Sequence, residues 1–321
     1  MSARTEGISP VGGGGRPAPG PRAQAEHSRG ASARDGFWPW LFLAPLLIGM
    51  GTFYLWPVVQ TFLNTFMSIG PFGGGEFAGL ANYRKLLSEP DFLRSVLNTI
   101  IYTAIVLLGV PIAIVISSLL NRPGLRFATL YRTLFFMPYV AMPTAIALVW
   151  RTIYNGDFGI LNTFLALLGI DGPHWISTPG YSLAALGAMG LWSALGFSLI
   201  ILSAGLQNIP ADLYEAAQLD GAGPWKQFMS VTVPMLTPSI FLVVVVTSIN
   251  AFQLFDLLFA LMGQSNPAMK QTQSMVFLFY EQGFIVNDKG YASVIAIAIM
   301  AIVALFTFLQ FRFQNRWVNY V

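Results

Sequence analysis

Residues Glu215–Phe228 read EAAQLDGAGPWKQF, and Pro234 and Pro238 follow shortly after. The stretch mixes charge, two glycines and a helix-starting proline inside a chain that is otherwise strongly apolar. Pro210 suits the first turn of a helix, and Asp212 and Glu215 suit its positive N-terminal end. Leu213, Ala216 and Ala217 fall at helical spacing and make one small-residue face. Gly221 can end this helix in a left-handed cap. Pro224 can start a second short helix, with Trp225, Phe228 and Met229 at i, i+3 and i+4 on one side. Pro234 and Pro238 are expected to stop it before the next apolar run. The reading is a helix, a glycine turn and a helix. Its apolar side chains either pack back on the rest of the protein or present a surface to a partner.

The surroundings decide what kind of protein carries this insert. Of 321 residues, 55% are hydrophobic and 10% charged, against about 25% charged in a soluble domain. So few charges cannot cover a water-facing surface of this size, and insertion in a bilayer explains the composition. There is no cysteine, which excludes disulfides, Cys-ligated metal and a thiol nucleophile. His27 and His174 lie far apart, so neither a metal site nor a Ser/His pair is expected. A net charge of +3 without a basic stripe gives no footprint for nucleic acid. Residues 1–36 are rich in Gly, Pro, Ser, Ala and Arg and lack an apolar run. They read as a disordered cytoplasmic tail, not a signal peptide.

Charge-free runs mark the spans. They predict an all-α polytopic membrane protein with six transmembrane helices, at about 37–66, 95–121, 133–152, 181–206, 238–262 and 290–311. Each offers about twenty apolar residues, enough for a hydrocarbon core about 30 Å thick. Phe158–Ile170 is too short to cross and suits an interfacial, re-entrant or bundle-packed helix. Six spans put both termini on one side, together with loops 121–132 and 207–237. That side holds eleven Lys/Arg against six on the other, which predicts cytoplasmic N- and C-termini.

The stretch EAAQLDGAGPWKQFMSVTVPMLTP resembles the EAA loop of permease subunits in ATP-binding-cassette importers. The pattern is Glu-Ala-Ala, a glycine six residues after the glutamate, then an aliphatic residue and a proline. Here these are Glu215, Ala216, Ala217, Gly221, Val231 and Pro234, with Val233 where leucine is usual. Four outer segments resemble the carbohydrate branch of that family: Phe77–Leu87, Gly159–Ile170, Phe255–Pro267 and Gln310–Tyr320. In the third, Gln264-Ser265-Asn266-Pro267 stands where Gly-Gly-Pro is usual. The resemblance implies a type I importer transmembrane domain in a bacterial or archaeal inner membrane, carrying a sugar or sugar derivative. It implies that loop 207–237 docks in a cytoplasmic ATPase through Glu215, Ala216, Ala217, Asp220, Gly221, Trp225, Phe228 and Pro234. The implied partners are a second permease, two ATPase subunits, an extracytoplasmic solute-binding protein and the bilayer. No cofactor is expected on this chain. It lacks a GxxxxGK[ST] loop, so ATP and Mg are expected on the ATPase.

A substrate path is sought inside the spans. A carboxylate near mid-membrane costs about 2.5–3.5 kcal/mol on insertion scales, so Asp256 should face the bundle interior, a wet path or a structural partner. Asn250, Gln253 and Asp256 would cover about 120° of one helix face, and sugar hydroxyls need such a face. Trp150 and Trp192 are either rings for a sugar to lie against or interfacial anchors. Asn98 and Tyr102, at i and i+4, either face the path or bond a neighbouring helix. Two other classes compete. A stand-alone ion-coupled transporter would show paired repeats and several buried ionisable groups, yet one span alone holds a carboxylate. An intramembrane enzyme would need a second carboxylate or a His beside Asp256, and neither is there.

Overall fold

In a computed structural model the described residues are 38–70, 73–122, 124–316 and 318. The tail 1–36, and most of the end Trp317–Val321, lie outside them. The chain divides at Pro57 into two units. The first holds α1 (Trp38–Met50), a π-helical turn at Gly51–Leu55 and the start of α2 (Trp56–Asn64). Phe42, Ile48, Phe53 and Tyr54 stand exposed along it, as suits a helix that faces lipid or another protein.

In the second unit β1 (Met67–Ile69) and β2 (Gly75–Phe77) form a small antiparallel hairpin, with Ser68 opposite Glu76. Helix α3 (Ala81–Ser88) is pinned beneath it, because Asn82 Nδ2 donates to the carbonyls of Thr65 and Met67, both at 3.0 Å. Helix α4 (Pro90–Leu107) runs into α5 (Gly109–Leu120) as one span of 31 residues. Next come α6 (Ala128–Val140), α7 (Pro143–Ile153), the short α8 (Ile160–Leu167) and the long α9 (Tyr181–Gln207). The patterned insert supplies α10 (Ala211–Leu219), α11 (Pro224–Gln227), a π-helical turn at Phe228–Thr232 and α12 (Val233–Met235). Helix α13 (Thr237–Phe252) follows, then α14 (Asp256–Met262), α15 (Met269–Thr272), α16 (Met275–Tyr280) and α17 (Lys289–Gln314).

Four of these helices are long and apolar enough to cross a membrane, and two bent pairs raise the number to six. The expectation at 133–152 needs correction. The chain there is α6 and α7, bent by 102° between Val140 and Pro143. Ala141 and Met142 adopt extended ψ angles of 143° and 130°, and a residue before proline is pushed out of the helical region for steric reasons. The expected stop at Pro234 and Pro238 falls between them: the helix that starts at Pro224 ends at Met235, Leu236 caps it, and α13 restarts at Thr237 after a bend of 65°, with Pro238 in its first turn, where proline loses no hydrogen bond. The expected span 238–262 is two helices, because α13 ends at Phe252 and α14 begins at Asp256.

Helix α9 is the axis of the bundle, packed by α4, α5, α6 and α13. Its glycines let the backbones approach. A Cβ at Gly187 would fall 2.8 Å from Ile105 Cδ1, and one at Gly190 would collide with the Tyr102 hydroxyl. Close approach through small residues is how helices associate where lipid supplies no hydrophobic drive. The Leu186, Met189, Leu199 and Leu202 side chains on the same helix are fully buried. Replacing Gly190 by Val is expected to overpack this seam by about 1–3 kcal/mol. Thermal denaturation in detergent checks it: Gly190→Val should melt several degrees lower, and adding Tyr102→Ala should restore part of the loss.

Candidate functional site

The insert is a hairpin of short helices held by its own backbone. Pro210 stands at the N-cap of α10 with ψ 134°, and Asp212 occupies the first turn. The far end closes in a Schellman turn. Gly221 takes φ 72°, its N–H reaches the Gln218 carbonyl at 2.9 Å, and the Ala222 N–H reaches the Ala217 carbonyl at 2.9 Å. Those two bonds satisfy carbonyls that the helix end would leave open. Gln227 Nε2 donates to the Ala222 carbonyl at 2.7 Å. The hydroxyls of Tyr214 and Thr232 pair at 3.0 Å, joining α10 to the π-helical turn.

With that frame closed, α10 is left outside the bundle. Glu215, Ala216 and Asp220 are exposed and Ala217 is half-buried. Leu219 is 90% exposed and Trp225 69% exposed. Trp225 stacks on Phe228 at 5.7 Å between centroids. Phe228 is half-buried and lines a groove of about 640 Å³ with Tyr214, Gln218 and, from the end of α5, Asn121 and Arg122. Pro234 is half-buried and part of α12. Of the two readings left open for these apolar side chains, packing back on the bundle is incomplete: Phe228 is half-buried, and Trp225 borders a cavity beside Val115 and Leu119 of α5 yet stays mostly exposed.

The expected substrate face is rearranged. Asn250 lies in the last turn of α13, Gln253 caps it, and Asp256 opens α14. All three are exposed. They do not share one helix face, because the helix closes at Gln253 and Leu254, whose N–H groups bond back only three residues, to Asn250 and Ala251. The Leu254 carbonyl that this frees accepts the Ser274 hydroxyl at 2.5 Å. Asp256 is less costly than a mid-helix carboxylate, since the first turn of a helix favours negative charge.

Trp150 and Trp192 do come together, edge to face at 5.6 Å. Trp192 lies about 16 Å along a helix of about 40 Å, at 1.5 Å per residue, so it is not an anchor at the end of its span. It is 39% exposed. The aromatic run extends further than expected. Trp150 meets Tyr154 at 5.0 Å, Tyr154 meets Trp175 at 6.3 Å, and Trp175 meets Tyr181 at 5.9 Å. Tyr154 carried a signal, being i+4 from Trp150 on one helix. Trp175 carried none. It is set by Asn162 of α8, whose Oδ1 accepts from Trp175 Nε1 at 2.6 Å. Asn98 is a tie between segments: its Nδ2 donates to the carbonyls of Gln271 and Gln273 at 2.9 and 3.1 Å.

Residues 88–319 match the family described as binding-protein-dependent transport system inner membrane component. The sn-glycerol-3-phosphate transport system permease protein UgpA of Brucella abortus biovar 1 is 32% identical over 287 residues, 88% of this chain and 96% of that one. UgpA of Pectobacterium atrosepticum is 30% identical over 290 residues, covering 89% and 97%. The arabinooligosaccharides transport system permease protein AraP of Bacillus subtilis is 29% identical over 281 residues, covering 86% and 88%. A chain of the bacterial alginate ABC transporter, crystallised with its alginate pentasaccharide-bound periplasmic protein, matches with TM-score 0.76 and 20% identity, over 88% of this chain and 95% of that one. That likeness shows the fold.

The closed hairpin depends on the left-handed residue. A side chain there costs about 1–2 kcal/mol. Gly221→Val is expected to speed hydrogen exchange of the amides at the C-terminal end of α10 about tenfold. Gly221→Asn, which tolerates that conformation, should do so less.

Proposed function

The chain belongs to the binding-protein-dependent transport system inner membrane components, multi-pass proteins of the inner membrane, and from that membership we propose the finer reading. The chain is the permease subunit of an ATP-driven importer. It forms part of the translocation path for a sugar or sugar derivative. Loop 207–237 couples it to a separate cytoplasmic ATPase, which places both termini in the cytoplasm. A second permease, two ATPase subunits and an extracytoplasmic binding protein complete the complex. Membership in a binding-protein-dependent family displaces the stand-alone ion-coupled transporter.

The observation that carries this reading is the exposed α10–α11 hairpin. It holds Glu215, Ala216 and Trp225 exposed on a closed frame. Burying one large apolar side chain in a partner contributes about 1.5–3 kcal/mol, and Leu219 and Trp225 both stand ready for it. Ala216 and Ala217 keep the helix thin, so a partner can approach its backbone. Glu215 offers a charge for a basic group there. When ATP draws the ATPase pair together, the seated hairpin moves with it. The helix that bends at Leu236 into α13 passes that displacement to the spans. ATP hydrolysis stays on the partner, since this chain has no phosphate loop.

Sugars and their derivatives fit the path side by chemistry. Asn250, Gln253 and Asp256 offer donors and acceptors, and the Trp150–Trp192 pair offers ring faces. The relatives named for glycerol phosphate and arabinooligosaccharides lie in the same class of hydroxylated solutes.

In membranes from cells carrying the whole complex, an ATP-binding-cassette ATPase is expected to co-purify with the chain. Glu215→Lys should lower ATP-dependent uptake of labelled maltose, arabinobiose or sn-glycerol 3-phosphate, whichever the wild type accumulates, at least about tenfold, the effect of about 1.4 kcal/mol. The amount of chain in the membrane should not change. Uptake that survives Glu215→Lys and needs only a proton or sodium gradient overturns the reading.

A further inference from the structure

The end of the bundle opposite loop 207–237 holds a polar pocket that the path residues above do not include. It lies where the end of α7, the segment before α9 and the turn after α14 meet, and it holds about 240 Å³. Typical sites for larger ligands run to about 300–1,000 Å³, so this one has room for a single ring. Its wall carries Arg151, Asn155, Asp157, His174 and Asn266, with Tyr154 at its base.

The polar groups are set in place and left free. Asn155 Oδ1 accepts the N–H groups of Asp157 and Phe158 at 2.9 and 3.1 Å. Asn266 Oδ1 accepts the N–H of Ala268 at 2.9 Å. Each carbonyl oxygen is therefore committed, and each Nδ2 is the unspent end, with two N–H donors to offer. Neither Arg151 nor Asp157 has an ion-pair partner among the described residues, although they share the wall. His174 lies against Gly156, where any Cβ would collide with its ring. Asn266 stands in the segment where the sequence departs from Gly-Gly-Pro, and a glycine there would leave that side of the pocket without a donor.

Donors, a carboxylate acceptor and an aromatic ring around a one-ring volume match the needs of a pyranose or furanose. An anion would meet Asp157. An apolar ligand would leave the two amides and both charges unpaired, at a cost of about 1–3 kcal/mol for each neutral group. One buried ring, Tyr154, separates the pocket from the path residues. Tyr154 at its base is 5.0 Å from Trp150, which is 5.6 Å from Trp192.

We propose that this pocket is an outer subsite that takes one neutral sugar ring and delivers it to the Trp150–Trp192 pair, with Asn266 and Arg151 setting the preference for hydroxyls. It rests on the importer reading for its direction, but its occupancy can be read without transport. The chain has no cysteine, so Ile176→Cys and Ser177→Cys each place a single thiol at the pocket without removing a proposed sugar contact, and Ser88→Cys places one on the exposed end of α3. In membranes holding the whole complex, millimolar maltose should slow labelling of the first two by an impermeant maleimide about fivefold, as about 80% occupancy requires. It should leave Ser88→Cys unchanged. Equal labelling rates with and without maltose at both pocket positions overturn the proposal. Protection by sn-glycerol 3-phosphate and not by maltose overturns the neutral ring.

Transport supplies the second readout. Arg151→Gln and Asn266→Gly should each raise KM for the accumulated solute about tenfold, about 1.4 kcal/mol, with kcat kept. An unchanged KM in both refutes the subsite and leaves the importer standing. A wild-type complex with no ATP-dependent uptake refutes the importer, and the labelling result still decides the pocket.

Discussion

Asn98 and Thr99 of α4 hold the short non-helical link between α15 and α16. Asn98 Nδ2 bonds the carbonyls of Gln271 and Gln273, and Thr99 Oγ1 accepts the Met275 N–H at 3.1 Å. Ser274 then reaches back to the Leu254 carbonyl and caps α16 through the Phe277 N–H. In hydrocarbon each unmet backbone group costs several kcal/mol, so irregular backbone survives only where protein satisfies it. This cluster allows α13 to stop at Phe252 and the chain to restart as α14. Without the restart Asp256 would sit inside a continuous helix. With it, the carboxylate opens a helix, and the turn after α14 reaches the wall that carries Arg151.

The same constraint explains what was legible in the sequence and what was not. Charge-free runs report how much chain avoids water, and they placed 95–121, 181–206 and 290–311 close to their helices. They carry no information about direction. The bend between Val140 and Pro143 and the break at Gln253–Phe255 both fall inside charge-free runs. The bend left a trace in Pro143, and Pro234 and Pro238 flank the 65° break at Leu236, so proline marks the place of a bend but not its angle. The break is tied through Ser274, 20 positions on, to a cluster that Asn98 and Thr99 hold from more than 170 positions away, and no local pattern encodes such a partner. The hairpin was the most readable part, since Gly221 and Pro224 act through backbone geometry within a few residues. The pairing of Trp150 with Trp192 was foreshadowed by residue type alone. Trp175 became visible only through Asn162.

The hairpin and the spans are mechanically one piece. Between Pro224 and Phe252 Leu236 alone interrupts the helices, and the chain bends there by 65°. A flexible loop would absorb a push, whereas a bent helix passes it on. The Tyr214–Thr232 bond ties α10 to the same piece, so force on either arm arrives at α13. The exposed Leu219 and Trp225 fit this arrangement, because a lever needs its contact surface outside the body that it moves.

Helix α9 connects the two ends where events are proposed. Its Gln207 end leads into the hairpin, and its Tyr181 end stands at the aromatic run beside the polar pocket. Glycine seams at 187 and 190 set it against α4 at van der Waals distance, and Gly196 does the same against α6, where a Cβ would meet Tyr139. Such seams resist compression but present few interlocking side chains, so sliding costs less than separation. The proposed lever and the proposed path therefore meet on α9, which packs against α13 and carries Trp192 to its contact with Trp150.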